Sequence, residues 1–179
     1  MKVSNTEILM MNGFWQNKGD AQMKVIFLDV DGVLNSNDTE DIFRGFIGLD
    51  YSGIKLLREI IDATGAEIVL VSSWKSRWYK DHKNCQDNLA NYLDKRLSEE
   101  SLKILDKTEG SSFDRGHGII DWLSDHPTES WIVLDDEIFE DYEECGIMPH
   151  LVKTSFYDGG LKEKHVEMAI NLLNKENNK

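Results

Sequence analysis

Cysteine is almost missing from this chain. Only Cys85 and Cys145 occur among 179 residues, with no recurring spacing around them. That excludes a disulfide framework and predicts two reduced thiols in a cytoplasmic protein. Basic side chains are in the minority, 20 Lys and Arg against 33 Asp and Glu, for a net charge of -13. Tight nonspecific binding to nucleic acid depends on neutralising phosphates, so the balance argues against it while leaving room for a local basic groove. No apolar run approaches the length of a membrane span, so no membrane partner is expected. Ile8-Leu9-Met10-Met11 is too short for a signal-peptide core, and no small-residue cleavage site follows it. Internal repeats and low-complexity tracts are absent as well.

What is present is a globular composition, 40% hydrophobic and 9% aromatic, in a chain long enough for one domain with a real core. The organising stretch is Val25-Ile26-Phe27-Leu28-Asp29-Val30-Asp31-Gly32-Val33-Leu34-Asn35. Four apolar residues, β-branched and aromatic in part, read as a strand buried on both faces. Two carboxylates follow, and unpaired buried charge is costly, so they belong at the C-terminal end of the strand, where an open parallel sheet places its ligands. A cation is the natural means of holding both at neutral pH.

Strong fold signals begin at Met23, and residues 1–22 read as an extension that Phe14 and Trp15 could tuck onto the domain. Asn35 to Gly48 is polar and punctuated, a loop or short flap. Ser52 is placed to N-cap a helix through Ile54, Leu56, Leu57, Ile60 and Ile61, ending near Thr64-Gly65. Ile68-Val69-Leu70-Val71 is a second buried strand, ending in Ser72-Ser73-Trp74-Lys75. Residues 76–101 are helix-like, with Leu89, Tyr92, Leu93 and Leu97 on one face, and Leu102 to Leu105 is a weak third strand. A loop over Glu109 to Gly118 leads into a short helix closed from outside by Pro127. Trp131-Ile132-Val133-Leu134 is a strong strand ending in Asp135-Asp136-Glu137. A short helix, a strand near Leu151-Val152-Lys153, a loop from Thr154 to Gly160 and a helix over Leu161 to Leu173 complete the chain. Alternating strands and helices predict a parallel, helix-flanked α/β sheet of about five strands, a Rossmann-like three-layer sandwich.

Three strands thus end in Asp29/Asp31, Ser72/Ser73 and Asp135/Asp136, and neighbouring parallel strands present such ends along one edge. Carboxylates gathered there suit Mg²⁺, a hard cation that takes a few carboxylates, waters and a substrate phosphate. One carboxylate can attack phosphorus, and a second can protonate the leaving oxygen and then activate water. A nearby cation, a hydroxyl and backbone N–H groups can orient and neutralise the transferring group.

Asp29-Val30-Asp31-Gly32-Val33 resembles the DxDG(T/V) signature of the haloacid dehalogenase (HAD) superfamily of phosphotransferases. The strand ending in Ser72 is similar to its second motif and Leu134-Asp135-Asp136 to its acidic fourth. The order LDVDGVLN, VSSWK, R, WL and VLDD over roughly residues 23–160 also resembles HAD domains associated with RNA-repair proteins. The resemblance implies an HAD-like domain over residues 23–179 with phosphomonoester hydrolase activity through an aspartyl-phosphate. It implies Asp29 as nucleophile and Mg²⁺ ligand, and Asp31 as general acid/base with its backbone carbonyl on the metal. Ser72 and Gly32 would bind the phosphoryl group, with Ser73 as the one-residue alternative. Arg115, or else Lys107, would be the third-motif cation, where the superfamily more often has Lys. Asp136 would be the direct metal ligand and Asp135 its support.

An isolated DxDG also occurs in turns and calcium loops, and the buried strand before it is the context that separates them. The insertion after the first strand holds about a dozen loop residues, too few for a folded cap. The region between Lys75 and Ser101 must supply a core helix, so a minimal cap or none is expected. Trp74 and Lys75 follow the second strand directly and flank the cleft, with Trp74 equally placed to be core; Thr154 is a candidate substrate contact, and His117, beside two glycines, reads as a loop histidine rather than a ligand, although it could reach substrate. An open cleft suits a bulky phosphorylated substrate such as a polynucleotide end. The alternatives are a small-metabolite or nucleotide phosphatase of the same superfamily and a non-catalytic, metal- or partner-binding module. A receiver-type phosphoacceptor fits less well, because its acidic pair and its phosphorylated Asp lie on different strands.

Overall fold

The computed structural model describes residues 22–80 and 88–175. The expected extension, including Phe14 and Trp15, lies outside the described residues but for Gln22, and Cys85 lies outside them too. Five parallel strands form the central sheet: β1 (Met23–Leu28), β4 (Glu67–Leu70), β5 (Ile104–Lys107), β6 (Thr128–Asp135) and β7 (Leu151–Lys153), in the order β5-β4-β1-β6-β7. β1 is central, pairing Leu28 with Leu70 on one side and with Leu134 on the other. The chain runs outward from β1 to β5, then returns to place β6 against the free edge of β1. That reversal opens a crevice at the C-terminal ends of the strands, where such sheets bind ligands.

Alternation along the strands assigns the two faces. Ile26, Leu28, Ile68, Leu70, Ile132 and Leu134 pack with α1 (Tyr51–Thr64), α2 (Asn88–Ser98) and α4 (Glu163–Leu173). Val25, Phe27, Val69, Val71 and Val133 pack with Ile119 and Trp122 of α3 (Arg115–Asp125) and with Tyr142 and Ile147. The three layers match the architecture expected from the sequence.

Four local expectations are corrected. Asp50, not Ser52, caps α1, accepting the Ser52 backbone N–H at 2.9 Å, and Gly65 ends the helix at φ +69°. The segment after β1 is more than a loop: β2 (Ile42–Phe43) and β3 (Phe46–Ile47) form an antiparallel hairpin. Its two-residue turn, Arg44 at φ +53° and Gly45 at φ +85°, has the positive dihedrals of a type I′ turn, which matches strand twist. Arg115 opens α3 instead of lying in the preceding loop. The short helix expected after Asp136 is a series of turns over 140–146, followed by a 3-10 turn at Met148–His150. No helix among the described residues is long and apolar enough to cross a membrane.

Candidate active site

Strand parity decides what meets at the sheet edge. Asp29 continues the Val25–Phe27 face and Asp135 the Trp131–Val133 face, so both carboxylates point toward α3 and its first residue, Arg115. Arg115 Nη1 lies 3.0 Å from Asp29 Oδ2 and 2.7 Å from Asp135 Oδ2. The guanidinium is held from behind by Nε donating to the Ser112 carbonyl at 3.2 Å and by the Phe139 ring 4.2 Å away. Tyr142 donates its hydroxyl to the same Asp135 oxygen at 2.7 Å, and the Glu137 N–H donates to the other at 3.0 Å. Asp135 is fully buried and fully engaged.

Asp29 is buried, 3% exposed, and its Oδ1 has no hydrogen-bond partner. Burial, and then the charge of Asp135, push its carboxyl up to about 7, against the pull of Arg115 and the buried Ser72 hydroxyl. Asp136 is also raised, by burial and then by Asp135. Burial works against the charge on Arg115, but the two carboxylates outweigh it and hold the guanidinium protonated.

Asp29, Asp135 and Asp136 each offer an oxygen within 4.8 Å of the others. Gly32, at φ +71°, leaves the space that the Asp136 carboxylate occupies; a Cβ there would lie 2.2 Å from Asp136 Cγ. An unpartnered buried carboxylate oxygen, a raised carboxyl and a glycine-shaped recess beside a third carboxylate fit a hard divalent cation. The residues present fit the magnesium that the sequence led us to expect.

Asp31 is exposed to the crevice and held by two donors, Trp74 Nε1 to Oδ2 and Asn35 Nδ2 to Oδ1, both at 2.9 Å. Asn35 Oδ1 in turn accepts the Gly32 N–H at 2.9 Å, and Thr154 donates its hydroxyl to the Gly32 carbonyl at 2.7 Å. Gly32 therefore sits with both backbone groups engaged. Ser72 accepts the Trp74 N–H at 3.3 Å and starts a 3-10 turn, Ser73–Arg77, while Ser73 is exposed. Lys107 faces away from the carboxylates, donating to the Lys75 carbonyl at 3.1 Å and lying over Tyr79. Lys75 is the buried second cation, bonded to Thr108 and to the Glu109 carbonyl, its ammonium pulled down by burial and then by Arg115.

Of the residues singled out in the sequence, Asp29, Asp135, Asp136, Arg115 and Ser72 come together at the strand ends, with Asp31 at the rim. His117 instead points away, to Asp141. Asn35 and Tyr142 were missed. Asn35 had a weak signal, four residues after Asp31 in a turn; Tyr142 had none.

The crevice opens into a cavity of about 830 Å³ bordered by Asp31, Trp74, Phe156, Arg77 and the hairpin residues Phe43 to Ile47. Phe46 is 71% exposed at its mouth. Phe43 stacks on Tyr92 of α2 at 4.2 Å, and Tyr92 bonds Asp41 through its hydroxyl, which ties the hairpin to the domain.

A family model described as the HAD domain in Swiss Army Knife RNA repair proteins matches residues 25–166. No curated protein and no solved structure matches the chain.

Proposed function

The chain belongs to that HAD family of RNA-repair type, a phosphatase-type hydrolase superfamily, and from this premise we propose that it hydrolyses phosphomonoesters through a phosphorylated Asp29. The observation that carries the reading is the split environment of Asp29. Arg115 grips Oδ2, while Oδ1 is buried with no partner. Such a carboxylate is oriented, poorly solvated and free to attack.

Asp29 Oδ1 forms a bond to phosphorus as the bond from phosphorus to the ester oxygen breaks. Asp31 donates its proton to the departing oxygen, and Trp74 and Asn35 hold it in position for that. Asp31, now ionised, takes a proton from water as the water oxygen attacks phosphorus. The bond to Asp29 breaks, inorganic phosphate leaves, and both carboxyls return to their starting states. Ser72 and Arg115 orient and neutralise the phosphoryl oxygens, and Asp135 with Tyr142 keeps Arg115 aligned. Asp29, Asp136 and the Asp31 backbone carbonyl are the groups that would hold Mg²⁺, which when bound supplies charge neutralisation on the transferring group.

The open cleft favours a phosphorylated polynucleotide end. Exposed Phe46, with Phe156 around the cavity, offers faces for stacking bases, and Arg44 and Arg77 place positive side chains at the cavity in a chain whose net charge is -13. The test is phosphate release from 5′- and 3′-phosphorylated RNA and DNA oligonucleotides, small phosphometabolites and p-nitrophenyl phosphate. Wild type and Asp29→Asn are compared, with Mg²⁺ and with chelator. The reading requires Mg²⁺-dependent release that Asp29→Asn lacks, with oligonucleotides turned over best. Preference for a small metabolite would replace the substrate assignment, and no release by folded wild type from any substrate would leave a non-catalytic module.

A further inference from the structure

Beside the Arg115 end of α3, a second group of ligating side chains meets that phosphate chemistry does not use. His117 faces Asp141 and Cys145, and one ligand atom from each lies within 4.8 Å of the others. The Cys145 N–H donates to the Asp141 carbonyl at 2.9 Å. That single helical turn sets side chains four residues apart on one face. His117 Nδ1 is 3.2 Å from Asp141 Oδ2, and Nε2 is 3.6 Å from Glu144 Oε1.

Hydrogen bonding leaves one buried atom of this group unsatisfied. Asp141 is 6% exposed; its Oδ2 accepts the His117 backbone N–H at 3.0 Å, and its buried Oδ1 has no partner. His117 Nδ1 faces the Asp141 carboxylate and Nε2 faces Glu144, so a cation seated at Nδ1 would leave the ring proton on Nε2, toward Glu144. Two ligands on one tetrahedral zinc, with bonds of ~2.0–2.2 Å, lie about 3.3 Å apart, close to the spacing of Nδ1 and Oδ2.

We propose that His117, Asp141 and Cys145 form a second metal site, for a zinc-class divalent cation, with Glu144 orienting the imidazole. A nitrogen, an oxygen and a sulfur ligand select a borderline-soft ion, unlike the all-oxygen cluster at Asp29. The ion ties the first turn of α3, which carries Arg115, to the turn that carries Tyr142. Both residues grip Asp135, so the site braces the catalytic centre from outside. The proposal is independent of the phosphatase reading.

Full-length metal-free protein carrying Cys85→Ser, which leaves Cys145 as the sole thiol, is titrated with Co²⁺ and then Zn²⁺ in saturating Mg²⁺. The site predicts a thiolate-to-cobalt charge-transfer band at one equivalent, displaced by Zn²⁺ and absent once Cys145→Ser is added. Zn²⁺ affinity falls at least about tenfold in Cys145→Ser and in His117→Gln, the latter at an exposed position that does not threaten folding. Zn²⁺ raises the Tm of the parent and leaves that of both variants unchanged. A missing band, a band that survives Cys145→Ser, or equal Zn²⁺ affinity in all three proteins overturns the site and leaves only a His117–Asp141 ion pair.

Discussion

Asp29 and Asp31 are two residues apart and sit in opposite surroundings. Asp29 is buried beneath the sheet edge with Arg115, Asp135 and Tyr142, in a cluster whose charged members are fixed by strand ends and by the start of α3. Asp31 faces the open crevice and is held by a tryptophan and an asparagine from turns, next to a hairpin that is largely exposed. The buried side sets electrostatics that water does not screen. On the proposed mechanism the open side exchanges protons and meets the substrate. On that reading the attacking carboxylate is built into the sheet, and proton transfer and selectivity into the turns above it.

Breaking the buried side should cost most. Asp29→Asn is isosteric and should lower phosphate release at least about a thousandfold while leaving the denaturation midpoint near or above that of wild type. Arg115→Ala leaves Asp29 and Asp135 facing each other without their cation, and urea denaturation should show a loss of about 3–5 kcal/mol. Substitution on the open side should separate binding from chemistry. Phe46→Ala should raise KM for a phosphorylated single-stranded oligonucleotide about tenfold, with kcat on p-nitrophenyl phosphate unchanged. An equal effect on both substrates would place the hairpin in the chemistry and blur the division.

The buried cluster also carries a pH signature. The Asp29 carboxyl is raised from 3.8 to about 7 in the metal-free fold. Between those values the folded state keeps a proton that the unfolded state releases, so stability from this group is fully present below the unfolded value and is lost as pH rises toward 7. The stability of wild type minus that of Asp29→Asn should therefore fall from about pH 4 to about pH 7. Saturating Mg²⁺ should flatten the slope. A slope of opposite sign would mean that Arg115 outweighs burial at Asp29.

The sheet and the motif at its centre were legible because both are local. An apolar run ending in Asp-x-Asp-Gly carries its own strand, its terminus and its charge problem in consecutive residues. Parity along β6, read outward from Val133, would also have separated Asp135 from Asp136. The start of α3 was hidden because Gly116 and Gly118 look like loop residues. They are glycines for a tertiary reason: a Cβ on Gly116 would lie 2.9 Å from the Asp141 carboxyl carbon, and one on Gly118 2.8 Å from the Glu109 carbonyl oxygen. Tyr142 reaches Asp135 from an irregular segment, and nothing in its neighbours announces that contact. The hairpin was half visible, because strands of two residues leave almost no alternation to detect.

The central claim is that Asp29 carries the phosphoryl group while Asp31 moves the protons. Its most direct test is intact-protein mass spectrometry after acid quenching of Asp31→Asn incubated with Mg²⁺ and an activated phosphomonoester. That variant still attacks but lacks the base that activates water. A single phosphoryl adduct should accumulate, map to Asp29 and disappear when Asp29→Asn is added. Phosphate release by wild type with no adduct in Asp31→Asn, or an adduct that persists without Asp29, would contradict it.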